Sequence, residues 1–137
     1  MRVLIDSDVL LDAALERPEF VADSMAVLGW AEQQPGSGWI AWHSVANIHY
    51  VGRRLRGDEA IRDFLRDILG FLEIPATDHR GARQALDLPM VDFEDALQVM
   101  SALTARADMI VTRNTIDYRR SVVPAITPTG LLRRVRT

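Results

Sequence analysis

The chain has 137 residues, 48% of them hydrophobic and 26% charged, with a net charge of −3. That length suits one domain over residues 1–137 with a sizeable core, whereas the acidic balance argues against a protein that merely coats nucleic acid. Cysteine is absent, which excludes disulfides and thiolate zinc sites, and no apolar run approaches the roughly 18 residues of a membrane span.

In chain order, "RVLID" (2–6) reads as a first strand, and Asp8 is placed to support the turn into a short helix starting near Val9. "FVADSMAVLGWAEQQ" (20–34) is helix-like and stops at Pro35-Gly36. "GWIAW" (38–42) reads as a second strand, followed by a helix over 44–57 with Ser44 as its cap and Gly57 at its end. "DEAIRDFLRDIL" (58–69) carries Ile61, Phe64, Leu65 and Ile68 on one face. "FLEIPA" (71–76) reads as a third strand, and 77–88 as a helix capped by Thr77 or Asp78. "DFEDALQVMSALTARA" (92–107) has the clearest helical pattern. "DMIVTR" (108–113) reads as a fourth strand, "VVPAITP" (122–128) as a short fifth, and "TGLLRRVRT" (129–137) as a terminal helix. Strands alternating with helices predict an α/β fold, a three-layer α/β/α sandwich around a mostly parallel sheet. Ligands of such sheets sit beyond the carboxyl ends of the strands. With no basic and apolar export signal ahead of the first strand, a cytoplasmic protein is expected.

Carboxylates and amides recur at those strand ends. Asp6 closes the first strand, Asn47 follows the second, Asn114 follows the fourth, and Asp117 lies three residues further on. On the 92–107 helix, about 100° per residue puts Phe93, Ala96, Leu97, Met100 and Leu103 on one apolar arc. Glu94, Gln98 and Ser101 fall on the opposite side, where solvent is expected. Asp95 sits at the margin of the arc in a row with Val99 and Ala102. Asp92 suits an N-cap, and Asp12 reads as solvated surface. Capping does not explain Asp6 or Asp95, and like charges brought together need a proton, a cation or a reaction to offset them. Mg²⁺ or Mn²⁺ takes oxygen ligands. Asp6, Asp95 and Asp117, with Asn47 and Asn114 as neutral donors and Asp92 as an optional fourth carboxylate, would suit either ion.

"LIDSDVLLD", "SVANIHYVGRR", "DFEDALQVMSA" and "MIVTRNTIDY" resemble, in order and spacing, the PIN-domain family. They most resemble the bacterial branch near the VapC-type toxin ribonucleases of VapBC toxin–antitoxin pairs. The resemblance implies an Mg²⁺- or Mn²⁺-dependent endoribonuclease that leaves a 5′-phosphate and a 3′-hydroxyl. It also implies a homodimer and a small antitoxin partner that binds across the active site. Asp6 matches the family's first acid, Asp95 its third, and Ser7 the small hydroxyl residue after the first. The second acid, usually glutamate, falls on Asn47, and the residue after "TR", often aspartate, is Asn114, with Asp117 near enough to supply a charge. Fewer acids imply a weaker metal site.

Two rival functions are set against this one. A PIN-like module that binds RNA or a partner without cutting is motivated by Asn47 and Asn114. A phosphoaspartate phosphatase is suggested by "DSDVL", but such sites use lysine and all sixteen basic residues here are arginine. His43, His49 and His79 read as structural or surface groups. Arg53, Arg54 and Arg56 suit a helix C-terminus, Arg133, Arg134 and Arg136 a solvated tail. Trp30, Trp39 and Trp42 are core or interface, and an exposed one would mark a partner surface.

Overall fold

Three consecutive apolar side chains at Val3, Leu4 and Ile5 are wholly buried, as expected for a strand covered on both faces. The computed structural model describes residues 1–136. In it β1 (Val3–Ile5) lies at the centre of a parallel sheet, flanked by β2 (Gly38–Trp39) and β3 (Met109–Val111), with β4 (Ala125–Ile126) beyond β3. Val3 is level with Gly38 on one side and Met109 on the other, and Ile5 with Val111. The helices are α1 (Ser7–Ala14), α2 (Val21–Gln33), α3 (Trp42–Arg56), α4 (Asp58–Leu69), α5 (His79–Leu86), α6 (Phe93–Ala105) and α7 (Pro128–Val135).

Alternation along the strands divides the core. Val3, Ile5, Met109 and Val111 pack with apolar side chains of α1, α2, α4 and α7. Leu4 and Ile110 point the other way, onto Val99 and Ala102 of α6 and onto Tyr118. The result is the three-layer α/β/α arrangement. Gly38 is where β2 passes closest to its cover: a Cβ there would lie 2.6 Å from Leu72 and 2.8 Å from Ala31.

Three local expectations need correction. The predicted strand at 71–76 contributes one bridge, Trp39 to Glu73, because Pro75 brings no N–H to a continuing ladder. Ser44 does not cap α3, which begins at Trp42 after Ala41; the Ser44 hydroxyl is occupied inside the protein by Ser7 and Gln98. The α1 helix starts at Ser7 with Asp6 as its cap, ahead of the predicted start near Val9. The terminal helix ends at Val135, and Thr137 lies outside the described residues. Among the described residues no helix is long and apolar enough to cross a membrane.

Candidate active site

Asp6 is delivered by β1. Its N–H donates to the Val111 carbonyl at 2.9 Å, extending the parallel ladder by one bond. The chain then turns into α1, and one Asp6 carboxylate oxygen accepts from the Ser7 N–H at 2.7 Å. The other accepts from the Tyr118 hydroxyl at 2.9 Å. Asp95 comes from the first turn of α6, oriented by an Asp92 cap whose Oδ1 accepts from the Asp95 N–H at 3.1 Å. Asp95 lies 3.2 Å from the same Tyr118 hydroxyl.

That geometry has an electrostatic consequence. A phenol carries one proton, so it satisfies only one of the two carboxylates at a time. Asp6 is 6% exposed, and burial first, then the charges of Asp8 and Glu94, push its pKa up to about 7. Burial, then the charges of Asp92 and Glu94, push Asp95 up to about 6. Tyr118 is buried and faces both acids, which holds its phenol protonated far above its ordinary range. Two carboxylates face one phenolic proton, with Asp8, Asp92 and Glu94 adding negative charge around them.

Asp92, Asp95 and Asp117 line one open cleft of about 350 Å³ together with Ile116, Arg119 and Arg120. Asp117 is exposed and its charge also raises Asp95. Neither asparagine is among the residues lining that cleft. Asn114 approaches the Asp8 carboxylate at 3.4 Å and borders a separate groove with Phe20 and Arg113. Asn47 is half-buried on α3 and forms no hydrogen bond to Asp6 or Asp95 among the described residues. Asp8 supports the turn, as expected, and also holds the strand end opposite: it accepts from the Val9 N–H at 2.7 Å and the Arg113 N–H at 3.0 Å.

Two residues read as solvated surface are not. Asp12 is wholly buried, gripped by Arg113 Nε at 2.6 Å and Arg17 Nη1 at 3.0 Å. Glu94 pairs with His43 Nε2 at 2.6 Å and accepts from Gln98 at 2.9 Å. Gln98 and Ser101, also assigned to solvent, are buried, whereas Phe93 and Leu103 of the apolar arc are 46% and 43% exposed. The reason is that α6 is covered on its polar side by α1 and α3, whose Ser7 and Ser44 hydroxyls bond each other at 2.8 Å and receive Gln98. Tyr118 stands in the sequence only as the neighbour of Asp117, and its part as the bridge between two acids has no local signal. Glu94 had one: Gln98 repeats its polarity four residues on, at the spacing of neighbours on a helix.

The donor set is oxygen only. Among the described residues no three acidic or histidine side chains stand close enough to enclose an ion. Asp6 and Asp95, joined through Tyr118, form a two-carboxylate site. Such a site suits Mg²⁺, which keeps most of its waters and takes one or two carboxylates plus substrate phosphate.

The PIN domain family model matches residues 2–116. No curated protein sequence matches the chain. Among solved structures it is similar to VapBC2 from Rickettsia felis bound to a DNA fragment from their promoter. The TM-score is 0.68 at 17% identity, over 93% of this chain and 98% of that one. It is also similar to FitAcB from Neisseria gonorrhoeae, with a TM-score of 0.65 at 15% identity over 93% and 98%. A third likeness is to FitAB bound to an IR36 DNA fragment, with a TM-score of 0.65 at 14% identity over 92% and 94%. At these identities the likeness is one of fold.

Proposed function

The chain belongs to the PIN-domain family, and on that premise we propose that it is a metal-dependent endoribonuclease, the toxin of a toxin–antitoxin pair, acting as one domain over residues 1–137. The observation that carries the reading is the pair Asp6 and Asp95 sharing the single Tyr118 proton. Asp6 and Asp95 would hold Mg²⁺ or Mn²⁺, with Asp117 and Asp92 on the cleft wall beside them. An ion held there would supply Lewis acidity toward phosphate and water. The protein's part is placement. The Ser7 N–H and Tyr118 fix the Asp6 oxygens, and the first turn of α6 fixes Asp95. Tyr118 stays neutral, so it spaces the carboxylates without adding charge.

An antitoxin partner is supported by the neighbouring structures, which are named as VapBC2 and FitAB complexes. A partner surface is also supported by Trp42, which is 69% exposed on a groove of about 360 Å³ with His79, Leu97 and Met100. A homodimer and a cytoplasmic location accompany this reading. The second reading, a module that binds RNA or a partner without cutting, draws on Asn114 turning to Asp8 and on an acidic pair where a triad would hold metal more tightly.

Calorimetric titration with Mn²⁺ separates the two, on wild type and Asp95→Asn, alongside cleavage of single-stranded RNA. Saturable binding and cleavage in wild type, both lost in the variant, are expected. Cleavage by the variant at the wild-type rate overturns the site. Binding without cleavage of any RNA favours the module.

A further inference from the structure

A cleft walled by Asp92, Asp95 and Asp117 repels a polyanion, and a cation at Asp6 and Asp95 offsets only part of that charge. The same cleft carries Arg119 and Arg120. Both are exposed, and among the described residues neither guanidinium forms a hydrogen bond or ion pair. Arg113, six residues earlier, shows the contrast: Asp12 takes its guanidinium at 2.6 Å and Phe20 lies 4.1 Å beneath it. Two exposed arginines without a partner, in a cleft they share with three carboxylates, are available to an anionic ligand.

Their backbone is well held. Tyr118, immediately before them, is 2% exposed and anchored on Asp6 and Asp95. The Arg119 N–H donates to the Ile116 carbonyl at 3.3 Å, and the Ser121 N–H to the Tyr118 carbonyl at 2.9 Å, closing the turn on both sides. The turn that carries them thus starts at the residue joining the two acids and opens on the same cleft as Asp95. Exposed Val91 and Ile116 on the rim offer apolar surface to unpaired bases.

We propose that Arg119 and Arg120 bind the phosphate adjacent to the cleaved one and so set the register of the nucleic acid in the cleft. This rests on the nuclease reading. Arginine suits the role because its planar fork meets phosphate bidentately.

The test is fluorescence anisotropy of a labelled single-stranded RNA 12-mer in Ca²⁺ across a salt series, with Mn²⁺ calorimetry on the same proteins. Arg119→Ala/Arg120→Ala is expected to weaken RNA binding about tenfold or more at low salt. It should reduce the slope of log K against log salt by about 0.7 for each phosphate no longer neutralised. Mn²⁺ binding and melting temperature should hold. Arg133→Ala/Arg136→Ala removes the same charge from α7 and its end, and should leave affinity near wild type. Equal reductions in the two double variants would overturn the proposal, since net charge alone would explain them. Unchanged RNA affinity with abolished binding to polyglutamate would overturn it in favour of an acidic protein ligand. Wild type that binds Mn²⁺ but no RNA would sink the nuclease reading itself.

Discussion

Asp6 and Asp12 lie at opposite ends of one short helix, both buried, yet their surroundings are opposite. Asp12 is enclosed by two guanidinium groups, so its charge is neutralised inside the fold. Asp6 meets a neutral phenol, the Thr112 hydroxyl and one backbone N–H, with Asp8 and Glu94 as further negative neighbours. Burial by itself therefore does not mark a functional acid. The mark is buried charge that the protein leaves unbalanced, since that costs stability unless a ligand offsets it.

The contrast is broken most directly by removing each charge in turn. Asp12→Ala should cost about 3–5 kcal/mol of folding free energy, because two arginines lose their buried partner; urea melts measure it. Asp6→Asn should do the reverse in chelator, raising stability by on the order of 1–3 kcal/mol while abolishing Mn²⁺ binding. A loss of stability in Asp6→Asn comparable to that in Asp12→Ala would end the distinction.

The pH dependence sharpens it next. Asp6 and Asp95 titrate near 7 and 6 in the folded chain, against 3.8 for an ordinary aspartate. Between those values the folded state holds more protons than the unfolded one. The stability contributed by these groups is thus full below about pH 4 and declines as pH rises, levelling above about pH 7. Melts in chelator from pH 4 to 8 should show that decline, and Asp6→Asn should flatten it. Mn²⁺ affinity should climb through the same window, because ion and proton compete for the same oxygens.

Tyr118→Phe is a smaller perturbation. It should cost about 1 kcal/mol and move the onset of Mn²⁺ binding to higher pH, because the hydroxyl lowers both acids. An onset at the wild-type pH would make Tyr118 a packing residue only. Glu94→Gln should have the least effect. Removing one of the charges that raise Asp6 and Asp95 moves that onset slightly lower.

Much of the fold was legible because it rests on local rules. The apolar runs 3–5 and 109–111 announce buried parallel strands, and α4 appears over 58–69 as its four-residue apolar face implies. The capping roles of Asp78 and Asp92 also follow from neighbouring residues. Asp6 and Asp95 stand out in the sequence as acids that capping does not explain; Asp6 does cap α1, through the Ser7 N–H, but its other oxygen, like Asp95, reaches the Tyr118 hydroxyl. The faces of α6 were misread, because periodicity measures the contrast between two sides of a helix and not what covers each side. Once α1 and α3 close over the polar side, Gln98 and Ser101 become interior and Glu94 a half-buried neighbour of the acids.

Element type, strand ends and the excess of acid beside them are properties of residues a few positions apart, so the sequence alone determined them. Which acids are balanced is decided by partners about a hundred residues away: Arg113 for Asp12, Tyr118 for Asp6. Only the folded sheet, which sets β1 beside β3, brings those partners within reach, and a charge acquires its energetic meaning from what lies within a few ångströms of it.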